Sequence, residues 1–373
     1  MKEFYSESPD NDKETPANDF HKLYSNAYGE NFESRRANLN EQYDRPEVIK
    51  VKDKNGKETG ETIEVIDIKP DNMKDEVPLV YFKGFSSGNE AYRNLLVELG
   101  MLGNRVIAME NPHGIDSSRI TEEEKKSALQ HQNDLADIEL RKTAMVLETL
   151  ENKEDVQKID IVAHSEGAIY AIIFALMHPE KVRSLVMMDP AGLKKNDSFW
   201  DLIKRSVSDA ALQGKNIKQK IAGVDPRQKY HPDKEPDKEK LKQIGLEANV
   251  NAKAGFDVWL KAWAASPGKN IEAIRAIANS DISPALEYLR KECGITIGMC
   301  HGVEDKIFDN FAKDDEVKRM KYLKPGMLDL LISTNETHTA FAQNPSRYAP
   351  AIDLLRSGLK KKWMAKQSAT PGG

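Results

Sequence analysis

Cysteine is scarce in this chain of 373 residues: only Cys293 and Cys300 are present. Two cysteines cannot build the disulfide framework of a small stapled domain, and no Cys-x-x-Cys pair offers a metal site. Both lie in or beside a stretch that reads as a strand, so buried small side chains are expected. Such low cysteine use suits a reducing, cytoplasmic compartment. Long apolar runs are missing too. No stretch reaches the roughly 18 apolar residues of a spanning helix, so no membrane span is expected. Residues 1–20 hold no apolar run, so no export signal is expected either. Excess charge of one sign is also absent: 55 Lys and Arg stand against 60 Asp and Glu, a formal net charge of −5. The two signs are interspersed, as on a solvated surface, and without a basic stripe no nucleic-acid partner is expected. The 39% of apolar residues still suffices to bury a core. The length allows a domain with an inserted second unit.

What is there has a rhythm. Residues 1–45 read as a polar N-terminal extension, loose or partly helical. Val48–Val51 and Thr62–Ile68, separated by Asp53-Lys54-Asn55-Gly56, predict an antiparallel hairpin. Short apolar runs at Pro78–Phe82, Arg105–Met109, Ile159–Ala163 and Val182–Met188 read as strands. Helical segments at Tyr92–Leu99, Asn133–Leu150 and Ala168–Met177 lie between them. This alternation predicts a mostly parallel sheet covered by helices. The pattern breaks after Gly192. Residues 193–292 read as a helical insertion. Ile295–Met299 and Leu328–Ile332 then resume the sheet, and Ala349–Leu359 reads as a last helix. The expected division is a core of 46–192 and 293–360, a cap of 193–292 and a loose tail of 361–373.

The most informative segment is Ile159-Asp160-Ile161-Val162-Ala163-His164-Ser165-Glu166-Gly167. It places a serine between a strand and an apolar helix. A hydroxyl can stand clear of a sheet there only on a strained, sharp turn with small neighbours, which Gly167 supplies. The segment resembles the nucleophile elbow of the α/β-hydrolases. Ala163 stands where that family usually has glycine.

The resemblance extends to three loops. Thr337-His338-Thr339 after the last strand resembles the histidine loop, with Thr337 in place of the usual glycine. Cys300-His301-Gly302-Val303-Glu304-Asp305 resembles the acid loop. Phe82-Lys83-Gly84-Phe85-Ser86-Ser87-Gly88 resembles the oxyanion loop, with Lys83 in place of histidine. Together they imply Ser165 as nucleophile, His338 as base and Asp305 as acid, in the family's chain order. Phe85 and Glu166 are implied as backbone oxyanion donors. Glu304, Asp309 and Asp189 remain alternative acids, and His301 an alternative base. His164 reads as a packing or hydrogen-bonding neighbour of the elbow. His113, in Asn111-Pro112-His113-Gly114, reads as turn-building or pocket-lining.

The implied fold is α/β: an eight-stranded, mostly parallel sheet with helices on both faces and an inserted helical cap. Trp200, Trp259 and Trp263 of the cap are candidates for an apolar lining. The implied chemistry is cleavage of a small carboxylic ester or thioester through an acyl-enzyme, with a small-molecule acyl substrate and neither cofactor nor metal. Aminopeptidase-like or carbon–carbon bond hydrolysis, acyl transfer, and an inactive binding protein of the same fold stay open. The glycines of the 82–88 loop match neither a dinucleotide nor a P-loop spacing. The sequence leaves the oligomeric state open.

Overall fold

A computed structural model describes residues 31–53, 56–85, 87–111, 113–132, 134–194, 197–226, 235–308, 322–324, 326–334 and 336–369. Eight strands form one sheet: β1 (Glu47–Lys52), β2 (Glu58–Ile68), β3 (Leu79–Phe82), β4 (Val106–Glu110), β5 (Ile159–His164), β6 (Val182–Met188), β7 (Thr296–Gly302) and β8 (Leu330–Thr334). Their order across the sheet is β1-β2-β4-β3-β5-β6-β7-β8. β1 and β2 form the expected antiparallel hairpin, and β2 also meets β4 antiparallel. All later neighbours are parallel. The central strands β3, β5 and β6 are buried at every residue. Their unbroken apolar runs follow from helices covering both faces.

Those helices divide into two layers, each with its own apolar core. On one face lie α1 (Phe32–Tyr43) and α2 (Arg93–Met101), joined later by α10 (Ala340–Gln343) and α11 (Pro345–Ala369). On the other lie α3 (Glu122–Leu129), α4 (Asp137–Glu151) and α5 (Gly167–Met177). The last helix runs well past the expected Leu359, because 361–369 continue its hydrogen-bonded turns. The residues expected to be a loose tail are thus helical up to Ala369. α3 is not among the elements expected from the sequence. A capping box creates it: Thr121 accepts the Glu124 backbone N–H while the Glu124 carboxylate accepts that of Thr121.

The insertion is helical, as expected. It comprises α6 (Phe199–Ile221), α7 (Lys238–Ala265) and α8 (Pro267–Asn279). The next helix, α9 (Ser283–Lys291), packs Ala285, Leu286 and Leu289 into the core cluster on the sheet, which Leu202, Ile274 and Ile277 of the insertion also join. No helix among the described residues is long and apolar enough to cross a membrane. Cys300 is buried and Cys293 half-buried, both as free thiols.

Candidate active site

The elbow at Ser165 is built by three constraints. β5 ends at His164, and Ser165 takes φ +55°, a left-handed conformation unusual for a residue with a side chain. Its N–H donates to Met188 O at 3.0 Å, and its carbonyl accepts the N–H groups of Ala168 and Ala191. Gly167 lets helix α5 pass over β3: a Cβ there would sit 2.2 Å from Phe82 O. Gly84 is equally required, since its Cβ would meet His164 Nδ1 at 2.9 Å and Ser165 Cβ at 3.1 Å. Ala163, by contrast, fits its methyl into the core cluster.

Ser165, His338 and Asp305, read from segments far apart in the chain, meet at the carboxyl end of the sheet. His338 Nε2 lies 3.0 Å from Ser165 Oγ, and His338 Nδ1 lies 2.9 Å from Asp305 Oδ2. All three are buried. Asp305 Oδ1 accepts the N–H groups of Ile307 and Phe308 at 2.7 and 3.0 Å, which leaves Oδ2 for the imidazole. Burial alone would lower the His338 pKa. The charge and hydrogen bond of Asp305, with Asp189 and Asp209 behind it, carry it up to about 9. Burial pushes the Asp305 carboxyl the other way, but the His338 and His301 charges hold it below the usual range.

The alternative residues take other positions. Asp189, also at positive φ (+43°), accepts the Gly302 N–H at 2.7 Å and lies 3.0 Å from His301 Nδ1. His301 Nε2 donates to Phe308 O at 3.1 Å and stands 4.0 Å from Asp305. These two residues therefore back the acid rather than meet the serine. Glu304 is half-buried, and its backbone N–H donates to Glu336 O. Asp309 and Ser86 lie outside the described residues. His113 is held in a turn, with its N–H on Asn111 Oδ1 and its carbonyl receiving Arg141.

His164 does more than pack. Tyr92 OH accepts the Gly84 N–H at 3.0 Å and donates to His164 Nδ1 at 3.0 Å. Nε2 must then carry the proton that goes to His338 O at 3.1 Å. Burial, then the His338 charge, keeps this ring neutral. The Gly84 loop and the His338 loop are thereby linked through one imidazole. Phe85 of the first loop packs edge-on against Trp263 of α7, with ring centroids 6.4 Å apart. Trp259 stacks in turn on Phe256, and Trp200 is largely exposed.

Behind the elbow the Glu166 side chain is fully buried, with Lys142 Nζ at 2.5 Å from Oε1. Burial, and then the Glu166 charge, pushes the neighbouring Glu139 carboxyl well up. Lys83 is buried beside Glu110, 3.4 Å away, and its carbonyl accepts Tyr170 OH at 3.0 Å. Donor atoms of His164, Asp189 and His338, and of Asp189, His301 and Asp305, lie close enough together to hold a cation.

Sequence reasoning passed over Asp209, Tyr92, Lys142 and Glu139. Of these only Asp209 left a signal. It lies seven residues after Leu202, on the buried stripe of an amphipathic helix where an apolar side chain is the norm.

A sequence model of the family described as alpha/beta hydrolase fold matches residues 77–217. The chain has the α/β-hydrolase fold. Among solved structures, this hydrolase fold is shared with the bromoperoxidase from Bacillus anthracis. That likeness has a TM-score of 0.50 at 14% identity and covers 84% of this chain and 100% of that one. It is shared too with a membrane phospholipase A described as a bacterial virulence factor. There the TM-score is 0.50 at 16% identity, covering 92% of this chain and 96% of the other. At such identities the likeness concerns the α/β-hydrolase architecture alone. No curated protein matches this hydrolase-fold chain in sequence.

Proposed function

We propose that the protein is a serine hydrolase that cleaves a small carboxylic ester or thioester through an acyl-enzyme. The observation that carries this reading is the continuous line of contacts from Ser165 Oγ through His338 to Asp305, at 3.0 and 2.9 Å. A serine hydroxyl is a weak nucleophile until a base takes its proton, and an imidazole at hydrogen-bond distance is that base. Asp305 keeps the proton of the resting imidazole on Nδ1 and steadies the imidazolium once it forms. Ser165 Oγ attacks the carbonyl carbon. The oxyanion so formed is received by the backbone N–H groups of Phe85 and Glu166. His338 returns the proton to the leaving alkoxide or thiolate, and water repeats the cycle to free the acid and restore Ser165.

The reading is tested with a fluorophosphonate probe and a short p-nitrophenyl ester. The wild type is expected to be labelled at Ser165 and to release p-nitrophenol. Ser165→Ala is expected to lose the label and at least about 10⁴-fold of the turnover. Retained labelling or turnover in that variant would remove the proposal, and a wild type inert to both would point to a binding protein.

A further inference from the structure

One face of one cap helix reaches the acid and base loops. α6 carries Asp209 and Gln213, four residues apart and hence on the same side. Asp209 is 1% exposed. Its Oδ1 accepts the Lys306 N–H at 3.1 Å and the His338 N–H at 3.5 Å. Gln213 Nε2 donates to Thr339 Oγ1. A single turn of the cap therefore grips the residue after Asp305, His338 itself and the residue after it. Those residues belong to two loops that leave different strands, β7 and β8. A carboxylate is a costly group to bury on a helix face that needs only apolar packing.

We infer that Asp209 is a positioning residue through which the seating of the cap aligns Asp305 with His338. The inference rests on the serine-hydrolase reading. With α6 seated, one carboxylate oxygen fixes both loop backbones and so the separation of acid and base. With α6 displaced, each loop loses that common anchor. The acid–base pair is then assembled only under a closed cap, where water has been excluded. The charged groups facing Asp209 are His338 and Asp305, with Asp189 and His301 behind them; the Lys306 side chain points to solvent. Burial, with Asp305 adding to it, pushes the Asp209 carboxyl up to about 6. Its negative form in turn favours the His338 imidazolium.

The test compares the wild type with Asp209→Ala, Asp209→Asn and Gln213→Ala in the intact chain. It reads kcat and KM on a p-nitrophenyl ester against pH, and the rate of fluorophosphonate labelling. Asp209→Ala is expected to lower kcat about 100-fold, the scale of a misplaced reacting group, with KM changed little. Asp209→Asn keeps an oxygen acceptor and is expected to recover most of kcat. Both variants lose the charge, so the His338 limb of kcat/KM moves to lower pH in both. Gln213→Ala, which keeps that charge, lowers kcat without moving the limb. If Asp209→Ala fails to fold, the Asn and Gln213 variants still decide. A raised KM with kcat and limb unchanged would make Asp209 a pocket-lining residue and overturn the inference, as would labelling at the wild-type rate in every variant. A wild type that does not label at all overturns the underlying hydrolase reading instead.

Discussion

The two ends of the sheet both bury clusters of charge, yet they use it in opposite ways. At the amino end, Asp160 receives Arg183 Nε at 2.9 Å, Arg356 Nε at 2.7 Å and Ser184 Oγ at 2.6 Å. Asp75 joins them through Arg183 and Lys360. Although burial pushes the Asp75 carboxyl up, these cations hold it well below the usual range. Each of these two anions meets more than one cation. At the carboxyl end the ratio is reversed: Asp305, Asp189 and Asp209 surround His338 and His301. Excess carboxylate holds protons on imidazoles and leaves groups whose charge can change near neutral pH. The first arrangement clamps strands and the last helix; the second is poised for chemistry.

Paired substitutions sharpen this contrast most. Asp305→Asn is expected to lower kcat by about 10³- to 10⁴-fold, because the imidazole loses its orienting anion. Its denaturation midpoint should move far less than that of an amino-end variant. Asp160→Ala should do the reverse. It takes a shared buried carboxylate from two guanidiniums, which costs about 3–5 kcal/mol of stability, while the folded fraction keeps its turnover. Urea melts and active-site titration of both variants check the division. A large loss of kcat per folded molecule in Asp160→Ala would erase it.

The same contrast explains what the sequence could and could not disclose. The carboxyl-end loops are governed by local rules. A serine at positive φ needs small neighbours, and an apolar strand precedes it, so Ser165 and Gly167 stand out within nine residues. The partners of Asp160 come from Arg183 and Arg356, the latter 196 positions away, and nothing in the intervening chain marks that pairing. The target of Asp209 was obscure for a related reason: it is the backbone of loops that follow β7 and β8, and backbone carries no sequence signal. α3 was legible in principle from Thr121 and Glu124, but its polar surface hid it.

Titration comes next in size. The His338 pKa stands above its ordinary value of 6.5, at about 9. The neutral imidazole is the base, so kcat/KM is expected to climb about tenfold per pH unit through neutrality and level off near pH 9. Stability runs the other way. Folding favours the protonated ring, so that contribution is complete below pH 6.5 and is lost as pH rises through the folded value. Activity and melting temperature should therefore diverge over that window. A kcat/KM that is already level by pH 7 would show that the carboxylates do not hold the proton in the free enzyme.

The smallest effect probes the one place where amino-end logic intrudes on the carboxyl end. Lys142 meets Glu166 at 2.5 Å, directly behind the N–H proposed to receive the oxyanion. An unpaired carboxylate there would oppose the negative charge that develops during attack. Lys142→Met should thus lower kcat about tenfold. Glu166→Gln alone removes the offending charge but leaves the lysine buried without its partner. The double variant removes both, so it should recover much of the kcat lost by Lys142→Met. Such recovery measures a coupling between the two side chains that neither single change reveals. Additive losses in the double variant would mean that Lys142 supports packing only, and that the charge behind the elbow is silent in catalysis.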